Sequence, residues 1–299
     1  MKPWQFESGT FQYNEKTLEN VYINRNIENF LDIGDHDHNL ILVGPKGVGK
    51  TLFLNLKSYL TRNEQKGKGK KIYPASGQLC ENLMLDNRTL GKREIISFIE
   101  LSLWEKIWRL LISLICCKVT NTRIENIALK RLLEDGNSFS TLMTKILSER
   151  SQLDKYLEAL KVLTQKIENI HTGVSIFIDN IDQAFSQFLT DHDPSDFKDV
   201  RINPSIKVWT NAQTGLISAI YNLNRHNSHI KVYTSIRSEA FRCIGNEMML
   251  NYKNYTTALK YTKTEVRKIF EKNIYMMDSR DKVGDKKNAP LFNFLGLKK

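Results

Sequence analysis

Glycine, proline and cysteine are all scarce in this sequence. It has 15 glycines and 6 prolines in 299 residues, with no low-complexity run and no repeat of solenoid length, which excludes fibrous, linker-like and solenoid architectures. Its four cysteines form neither a CxxC pair nor a Cys/His cluster with metal-ligand spacing. Because Cys116 and Cys117 lie in an apolar helical pattern, we expect them to be buried, reduced thiols and the protein to be cytoplasmic.

Long hydrophobic runs are also missing. Residues 1–10 lack the apolar core of a signal peptide. The most apolar stretch, 95–117, contains Glu100, Glu105, Lys106 and Arg109, so only 110–117 is free of charge. A membrane span needs about 20 apolar residues, so we expect a buried amphipathic helix here and no membrane partner.

Positive charge is in excess, with a net charge of +11, while 41% of the residues are hydrophobic and can form a sizeable core. The basic residues concentrate in segment 62–71 and in the tail from Lys260 onward. Such segments attract phosphate backbones, but no aromatic residues are interleaved to stack on bases. A nucleic-acid partner and a merely solvated surface therefore both stay open.

Apolar strands and amphipathic helices alternate along the chain, which predicts an α/β fold with a parallel sheet. The nearly uniform apolar runs 39–43 and 174–179 suit strands buried on both faces. Further strands are predicted at 71–74, where Pro74 ends the strand, at 230–235 and at 255–261. Helices are predicted at 52–60, 208–224 and 264–274, with a polar loop at 191–205. Residues 92–170 are predicted to be mostly helical, with a break at 135–138 after which Ser138 caps the next helix.

A phosphate-binding motif follows the first predicted strand. The segment Gly44-Pro45-Lys46-Gly47-Val48-Gly49-Lys50-Thr51 fits GxxxxGK[ST] at every fixed position. Gly44 and Gly49 are expected to let the backbone aim its N–H groups at phosphate oxygens, beside the positive end of the following helix. Lys50 is expected to reach the β- and γ-phosphates and Thr51 to bind Mg²⁺. Lys46 is at no fixed position and adds only charge.

An acidic residue ends the strand at 174–179. Asp179 is expected to hold the magnesium ion, usually through water. The next position, where many related ATPases have a glutamate that polarises water, is Asn180, which orients water but cannot accept its proton. Asp182 is the candidate for water activation, and the alternative is that it caps the following helix while hydrolysis is slow.

The strand at 230–235 leads into Arg237. As the middle strand of the switch region, it is expected to place Thr234, Ser235 or Arg237 beside the γ-phosphate. Arginine suits this role because its planar donors pair bidentately with phosphate oxygens. The alternative is a structural ion pair of Arg237 with Glu239 or another surface carboxylate. Arg242 is a weaker candidate for contacting the nucleotide of a neighbouring subunit.

These three segments together resemble the STAND and AAA-like branch of P-loop ATPases, over roughly residues 20–275. Segment 178–182 is similar to the STAND pattern of an aspartate, two spacers and a second acid, although Gln183 replaces a further acid. Segment 234–237 is similar to the branch's Thr-x-Arg sensor strand with one extra residue. Segment 209–241 also resembles large bacterial ATPases near the KAP group, several of which act in anti-phage defence.

The resemblance implies a P-loop NTPase fold with a parallel β-sheet flanked by helices, a helical insertion at about 92–170 and the start of a helical lid. The predicted divisions are a lead-in at 1–38, an ATPase domain at 39–261 and a lid at 262–299, whose apolar end at 290–295 favours a part of a longer protein. The implied function is an oligomerising regulatory ATPase that uses ATP and Mg²⁺, as a homo-oligomer or in a larger defence complex. The alternatives are a nucleic-acid-dependent loader or motor, a small-molecule kinase, and a nucleotide switch with little hydrolysis.

Overall fold

A six-stranded parallel sheet flanked by helices forms the centre of the chain. The computed structural model describes residues 21, 23–33, 38–64, 69–75, 77–85, 92–186 and 203–275. The strands are β1 (Ile41–Gly44), β2 (Lys71–Tyr73), β3 (Glu81–Asn82), β4 (Val174–Asp179), β5 (Ile230–Arg237) and β6 (Thr256–Ala258). Their order across the sheet is β2–β4–β5–β1–β6, and β3 also pairs with β4. The predicted α/β class with a parallel sheet is confirmed.

Thirteen α-helices are described, and most of them precede or follow a strand along the chain. They are α1 (Arg25–Leu31), α2 (Lys50–Glu64), α3 (Lys92–Ser97), α4 (Leu101–Val119), α5 (Ile127–Asp135), α6 (Phe139–Ser148), α7 (Arg150–Glu158), α8 (Leu160–Glu168), α9 (Ile181–Ala184), α10 (Pro204–His226), α11 (Ser238–Phe241), α12 (Asn246–Tyr252) and α13 (Lys263–Tyr275). A short 3₁₀ turn, Lys253–Tyr255, precedes β6.

Strands β1 and β4 are buried along their whole length, as their apolar sequences predicted. Every residue of β1 and every residue of β4 is buried. The observed strand limits differ slightly from the prediction, because β1 covers 41–44 rather than 39–43 and β6 covers 256–258 rather than 255–261. Strand β3 was not predicted, because two residues are too few to show a period of two.

A layer of helices follows β3, and its longest member, α4, packs against α10, α8, α6 and α7. The predicted helical block is confirmed by α3 to α8, and the predicted cap is confirmed by Ser138, whose hydroxyl accepts from the Thr141 N–H in a reciprocal capping box. Cys116 and Cys117 are fully buried in α4, as expected. Burial raises the pKa of both thiols, that of Cys117 to about 11.

The helix predicted at 208–224 is longer than expected. Helix α10 begins at Pro204, so the predicted loop end at 204–205 is wrong. Pro204 occupies the first turn, where no N–H is needed, and the Asn203 side chain accepts from the N–H groups of Ser205 and Ile206. Positions 191–202 of that loop lie outside the described residues, as do most of the lead-in, the basic residues Lys66 and Lys68, and the tail from 276.

The chain divides into two compact units, one of residues 29–258 and one of 1–28 with 259–299. The first contains the sheet. In the second, α13 begins with a capping box, because Thr262 and Glu265 exchange hydrogen bonds between side chain and backbone N–H. These bonds lower the pKa of Glu265. Within the described ranges no helix is long and apolar enough to cross a membrane.

Candidate functional site

Three neighbouring strands end together at one edge of the sheet, and each contributes polar residues there. In the parallel pairing, Gly44 at the end of β1 faces Arg237 at the end of β5, and Ile178 of β4 faces Thr234 of β5. Strand β5 therefore lies between β1 and β4, as expected for a middle strand. Because adjacent strands are about 4.8 Å apart, this order brings the GxxxxGK[ST] loop, Asp179 and Arg237 into one region.

The loop between β1 and α2 turns through two glycines with left-handed backbone. Gly47 has a φ of 79° and Gly49 a φ of 95°, conformations that other residues adopt only with strain. Gly44 was expected to provide one of these turns, but it is a strand residue paired with Arg237 and its φ is not positive. Pro45 and Lys46 are exposed, and Val48 is half-buried. The turn thus depends on Gly47 and Gly49.

Lys50 begins α2, and its ammonium group lies inside the loop. Its Nζ donates to the carbonyl oxygens of Gly44 at 3.1 Å and Pro45 at 2.9 Å. Burial lowers the pKa of Lys50, and the nearby charges of Asp182 and Asp179 only partly offset this effect. The loop therefore holds a buried positive charge close to two carboxylates.

Asp179 ends β4 as a buried carboxylate, 1% exposed, with one satisfied oxygen. Its Oδ1 accepts from the Ser235 hydroxyl at 2.5 Å, while its Oδ2 has no hydrogen-bond partner in the described part of the chain. A buried carboxylate oxygen without a donor is costly unless a cation satisfies it. Thr51 follows Lys50 in the first turn of α2 and adds a hydroxyl oxygen to this region.

These oxygens fit a magnesium ion of the kind found in phosphate sites. Mg²⁺ prefers oxygen ligands and is usually held by one or two carboxylates together with substrate phosphates and water. The described residues contain no cluster of three or more His, Cys, Asp or Glu side chains that would bind a metal alone. Asp179 and Thr51 would hold the ion with the help of a bound polyphosphate, and the ion would neutralise phosphate charge.

Asn180 has a backbone role at the turn after β4. Its φ of 63° and ψ of 22° place it in the left-handed region, and its carbonyl accepts from the N–H groups of Gln183 and Ala184 to start α9. Asparagine tolerates this conformation better than glutamate does, because its short side chain bonds locally. The turn geometry thus gives a structural reason for asparagine rather than glutamate at this position.

Asp182 and Arg237 form an ion pair across this edge. Arg237 Nε lies 2.7 Å from Asp182 Oδ2, although the N–H direction does not meet a hydrogen bond's geometry. The two side chains are only 18% and 14% exposed. The N-cap position of α9 is Asn180, and Asp182 lies inside the first turn of the helix. The ion-pair partner of Arg237 is therefore Asp182. Glu239 was the predicted alternative, and its carboxylate accepts from the Ser238 hydroxyl.

Two residues of α10 contact the same edge, and the sequence analysis did not single them out as site residues. Gln213 Oε1 accepts from the backbone N–H of Arg237 at 3.1 Å. Trp209 Nε1 donates to the backbone carbonyl of Asp182 at 3.0 Å. Gln213 could have been noticed in the sequence, because it is a polar residue on an otherwise apolar face of the predicted helix. In the structure this side chain is fully buried.

The remaining candidates are not part of this group of contacts. Thr234 is fully buried and its hydroxyl has no hydrogen-bond partner in the described ranges. Arg242 is exposed at the end of α11. In the basic segment 62–71, the described residues Lys70 and Lys71 are exposed at the start of edge strand β2.

Comparisons with protein-family models, with curated proteins and with solved structures find no match to this chain. The sequence motif and the geometry of this edge of the sheet are therefore the observations that bear on function.

Proposed function

We propose that the chain is a P-loop NTPase that binds ATP with Mg²⁺ at the loop 44–51 and hydrolyses its β–γ phosphoanhydride bond. One observation carries the proposal: a loop with the complete GxxxxGK[ST] motif lies beside a buried aspartate whose second oxygen has no partner among the described residues. A phosphate-binding loop and a magnesium carboxylate are the two parts that this chemistry requires. Adenine is preferred because the sequence has no Asn-Lys-x-Asp guanine-reading motif.

Each residue then has a defined part in the proposed reaction. The N–H groups of the loop and the start of α2 bind phosphate oxygens, and Lys50 exchanges its bonds to loop carbonyls for bonds to the β- and γ-phosphates. Asp179 and Thr51 hold Mg²⁺. Arg237 stabilises negative charge on the γ-phosphate, and Asp182 orients and deprotonates the attacking water.

The ion pair between Arg237 and Asp182 supports a second candidate, a nucleotide-binding switch with little hydrolysis. In this pair one oxygen of Asp182 lies 2.7 Å from the Arg237 Nε, so the guanidinium occupies the place that an attacking water would need beside that oxygen. Asn180 supplies no alternative base. The two candidates differ in whether Arg237 leaves Asp182 when the γ-phosphate is bound.

The central test measures Mg·ATP binding and hydrolysis by the wild type, Lys50→Ala and the control Lys46→Ala. Removing Lys50 is expected to weaken ATP binding about 100-fold, because hydrogen bonds from a charged group contribute about 1.5–3 kcal/mol each. Lys46 is exposed and outside the fixed motif positions, so its removal is expected to change binding less than about threefold. Wild-type ATP binding by Lys50→Ala would refute the proposal.

Asp182→Asn separates the two candidates. If Asp182 activates water, turnover falls about 100-fold or more while ATP affinity stays within a few-fold of the wild type. If the chain is a switch, wild-type turnover is already slow and the substitution leaves it unchanged.

The resemblance to STAND and AAA-like ATPases extends the proposal to an oligomerising regulator, of the kind found in bacterial or prophage defence against phage. This part rests on motif similarity alone. Particle mass measured with and without ATP tests it, since ATP-dependent assembly is expected to be lost in Lys50→Ala.

A further inference from the structure

Helix α10 touches both members of the Arg237–Asp182 pair through their backbones. Gln213 accepts from the N–H of Arg237 at 3.1 Å, and Trp209 donates to the carbonyl of Asp182 at 3.0 Å. The two residues are four positions apart and so lie on one face of the helix. Gln213 Nε2 also donates to the carbonyl of Trp209 at 3.2 Å, which joins the two contacts.

Helix α10, which carries these residues, is fixed in place by further contacts with α4 and with the residues just before α4. Trp108 of α4 donates to the carbonyl of Ala212 at 2.7 Å, one residue before Gln213. The side chain of Asn211 donates to the carbonyl of Ile99 at 2.6 Å. Gly215 lies so close to Trp104 that an added Cβ would be 2.6 Å from the Trp104 Cβ. Helix α10 is therefore a firmly packed support rather than a loosely attached segment.

We propose that Trp209 and Gln213 are positioning residues, which set the backbone of Asp182 and of Arg237 and thereby control how Arg237 discriminates a nucleoside triphosphate from a diphosphate. The discrimination rests on the proposed function, whereas the positioning of the two backbones does not. Gln213 is the stronger of the two, because it is fully buried and bonds to the residue that carries the guanidinium. Trp209 is half-buried and acts on Asp182.

The first experiment needs no nucleotide and compares Gln213→Met with the wild type and with Thr214→Val. Methionine keeps the length of glutamine but has no strong acceptor. Thr214 is its neighbour in α10, and its buried hydroxyl bonds only within the helix in the contacts described, to the Thr210 carbonyl. Hydrogen exchange of the Arg237 amide is expected to accelerate about tenfold or more in Gln213→Met. It should not change in Thr214→Val, and Gln213→Glu, which keeps an acceptor oxygen, should restore protection.

The second experiment measures the ratio of Mg·ATP to Mg·ADP affinity in the same variants. We expect the ratio to fall about tenfold in Gln213→Met, the size of one charge-assisted hydrogen bond, with ADP affinity unchanged. Combining Gln213→Met with Arg237→Gln should lower it no further than Arg237→Gln alone, because Gln213 acts through Arg237. If Gln213→Met does not fold, Trp209→Phe removes the indole N–H together with part of the ring, keeps an aromatic side chain, and is expected to lower the ratio about threefold.

The outcomes separate the inference from the proposed function. Unchanged exchange of the Arg237 amide in Gln213→Met overturns the positioning of Arg237. Faster exchange with an unchanged affinity ratio overturns the role in discrimination. A third outcome is faster exchange of the Arg237 amide in Gln213→Met while the wild-type protein binds neither ATP nor ADP. It would support the positioning of Arg237 but refute both the proposed ATPase and the discrimination that is built on it.

Discussion

Two carboxylates, one at the carboxyl edge of the sheet and one between α4 and α10, differ in how far their oxygens are satisfied. In the helical interface, Glu105 is 24% exposed, yet both of its oxygens have partners, in Ser218, Asn222 and Arg109. At the sheet edge, Asp179 is 1% exposed, and one of its oxygens has no partner among the described residues. The more deeply buried carboxylate is thus the less satisfied one.

This difference distinguishes residues that stabilise the fold from residues that are expected to bind a ligand. Satisfied polar groups and large buried aromatics stabilise a fold, whereas unsatisfied charges and left-handed backbone reduce stability and persist where a ligand uses them. The sheet edge has both of the latter features, in the unpaired oxygen of buried Asp179 and the left-handed backbone of Asn180. Substitutions in the helical interface should therefore affect unfolding, and those at the edge should affect ligand binding.

The largest expected effect on stability is that of Trp108→Ala. Trp108 is fully buried in α4 and donates to the Ala212 carbonyl of α10. Its truncation creates a cavity and leaves that carbonyl without its donor, so the free energy of unfolding should fall by about 3–5 kcal/mol in urea denaturation. Val162→Ala, at a 52% exposed position of the same layer, is the control and should change it by less than about 0.5 kcal/mol. A loss below about 1 kcal/mol for Trp108→Ala would contradict the assignment of this interface as the stabilising region.

The second effect is that of Gly215→Ala, which tests how closely α4 and α10 approach. Alanine normally stabilises a helix by about 1 kcal/mol relative to glycine. Here its Cβ would lie 2.6 Å from the Trp104 Cβ and 3.0 Å from the Glu105 backbone nitrogen, neither of which is a flexible side-chain end. We expect a net loss of about 1–3 kcal/mol in unfolding free energy. Gly245→Ala is the control, since an added Cβ there meets nothing within 4 Å. A gain in stability for Gly215→Ala would show that the helices can move apart.

The same two regions differ in how well the sequence predicts them. The strand at 174–179 was predicted at its observed limits, because an apolar run ended by Asp179 indicates both the type of the element and its boundary. Helix α10 was predicted four residues too short at its start, because Pro204 was taken as a loop residue rather than as the first residue of a helix. Local patterns thus predicted the elements better than their ends.

The candidate site shows what local patterns do not contain. The loop motif is recognisable because its fixed residue types lie within eight consecutive positions. Asp179 is recognisable because it directly follows an apolar run. The contacts of Gln213 with Arg237 and of Trp209 with Asp182 join positions 24 and 27 residues apart, and they exist only because α10 packs on the sheet. The left-handed backbone of Asn180 could have been predicted from the sequence, because an asparagine directly after a buried strand favours such a turn.

The third expected effect concerns magnesium at the sheet edge. Ser235→Ala removes the hydroxyl that donates to Asp179 Oδ1, so the carboxylate loses the contact that orients it. We expect the Mg²⁺ concentration for half-maximal ATP binding to rise about tenfold, since a hydrogen bond to a charged group contributes about 1.5 kcal/mol. The matched control is Thr234→Val, which removes a neighbouring buried hydroxyl that has no partner in the described residues. An equal response to both substitutions would mean that Ser235 does not orient the magnesium carboxylate.

The smallest expected effect is a gain in stability from removing the buried charge of Lys50. Burial lowers the pKa of Lys50 below its ordinary value of 10.5, so the folded state disfavours the ammonium form. In nucleotide-free protein at pH 7, Lys50→Met should therefore be as stable as the wild type or more stable, by about 1 kcal/mol or less. Between the lowered pKa of Lys50 and 10.5, the unfolded wild type binds more protons than the folded wild type. The stability of the wild type therefore rises with pH, and the stability advantage of Lys50→Met shrinks.

Urea unfolding of both proteins from pH 7 to 10 measures this pH dependence, with exposed Lys46→Met as the control that should show no such trend. A Lys50→Met variant that is less stable than the wild type at pH 7 would mean that the bonds to Gly44 and Pro45 outweigh the cost of burial, and that this charge belongs with the satisfied groups of the helical interface.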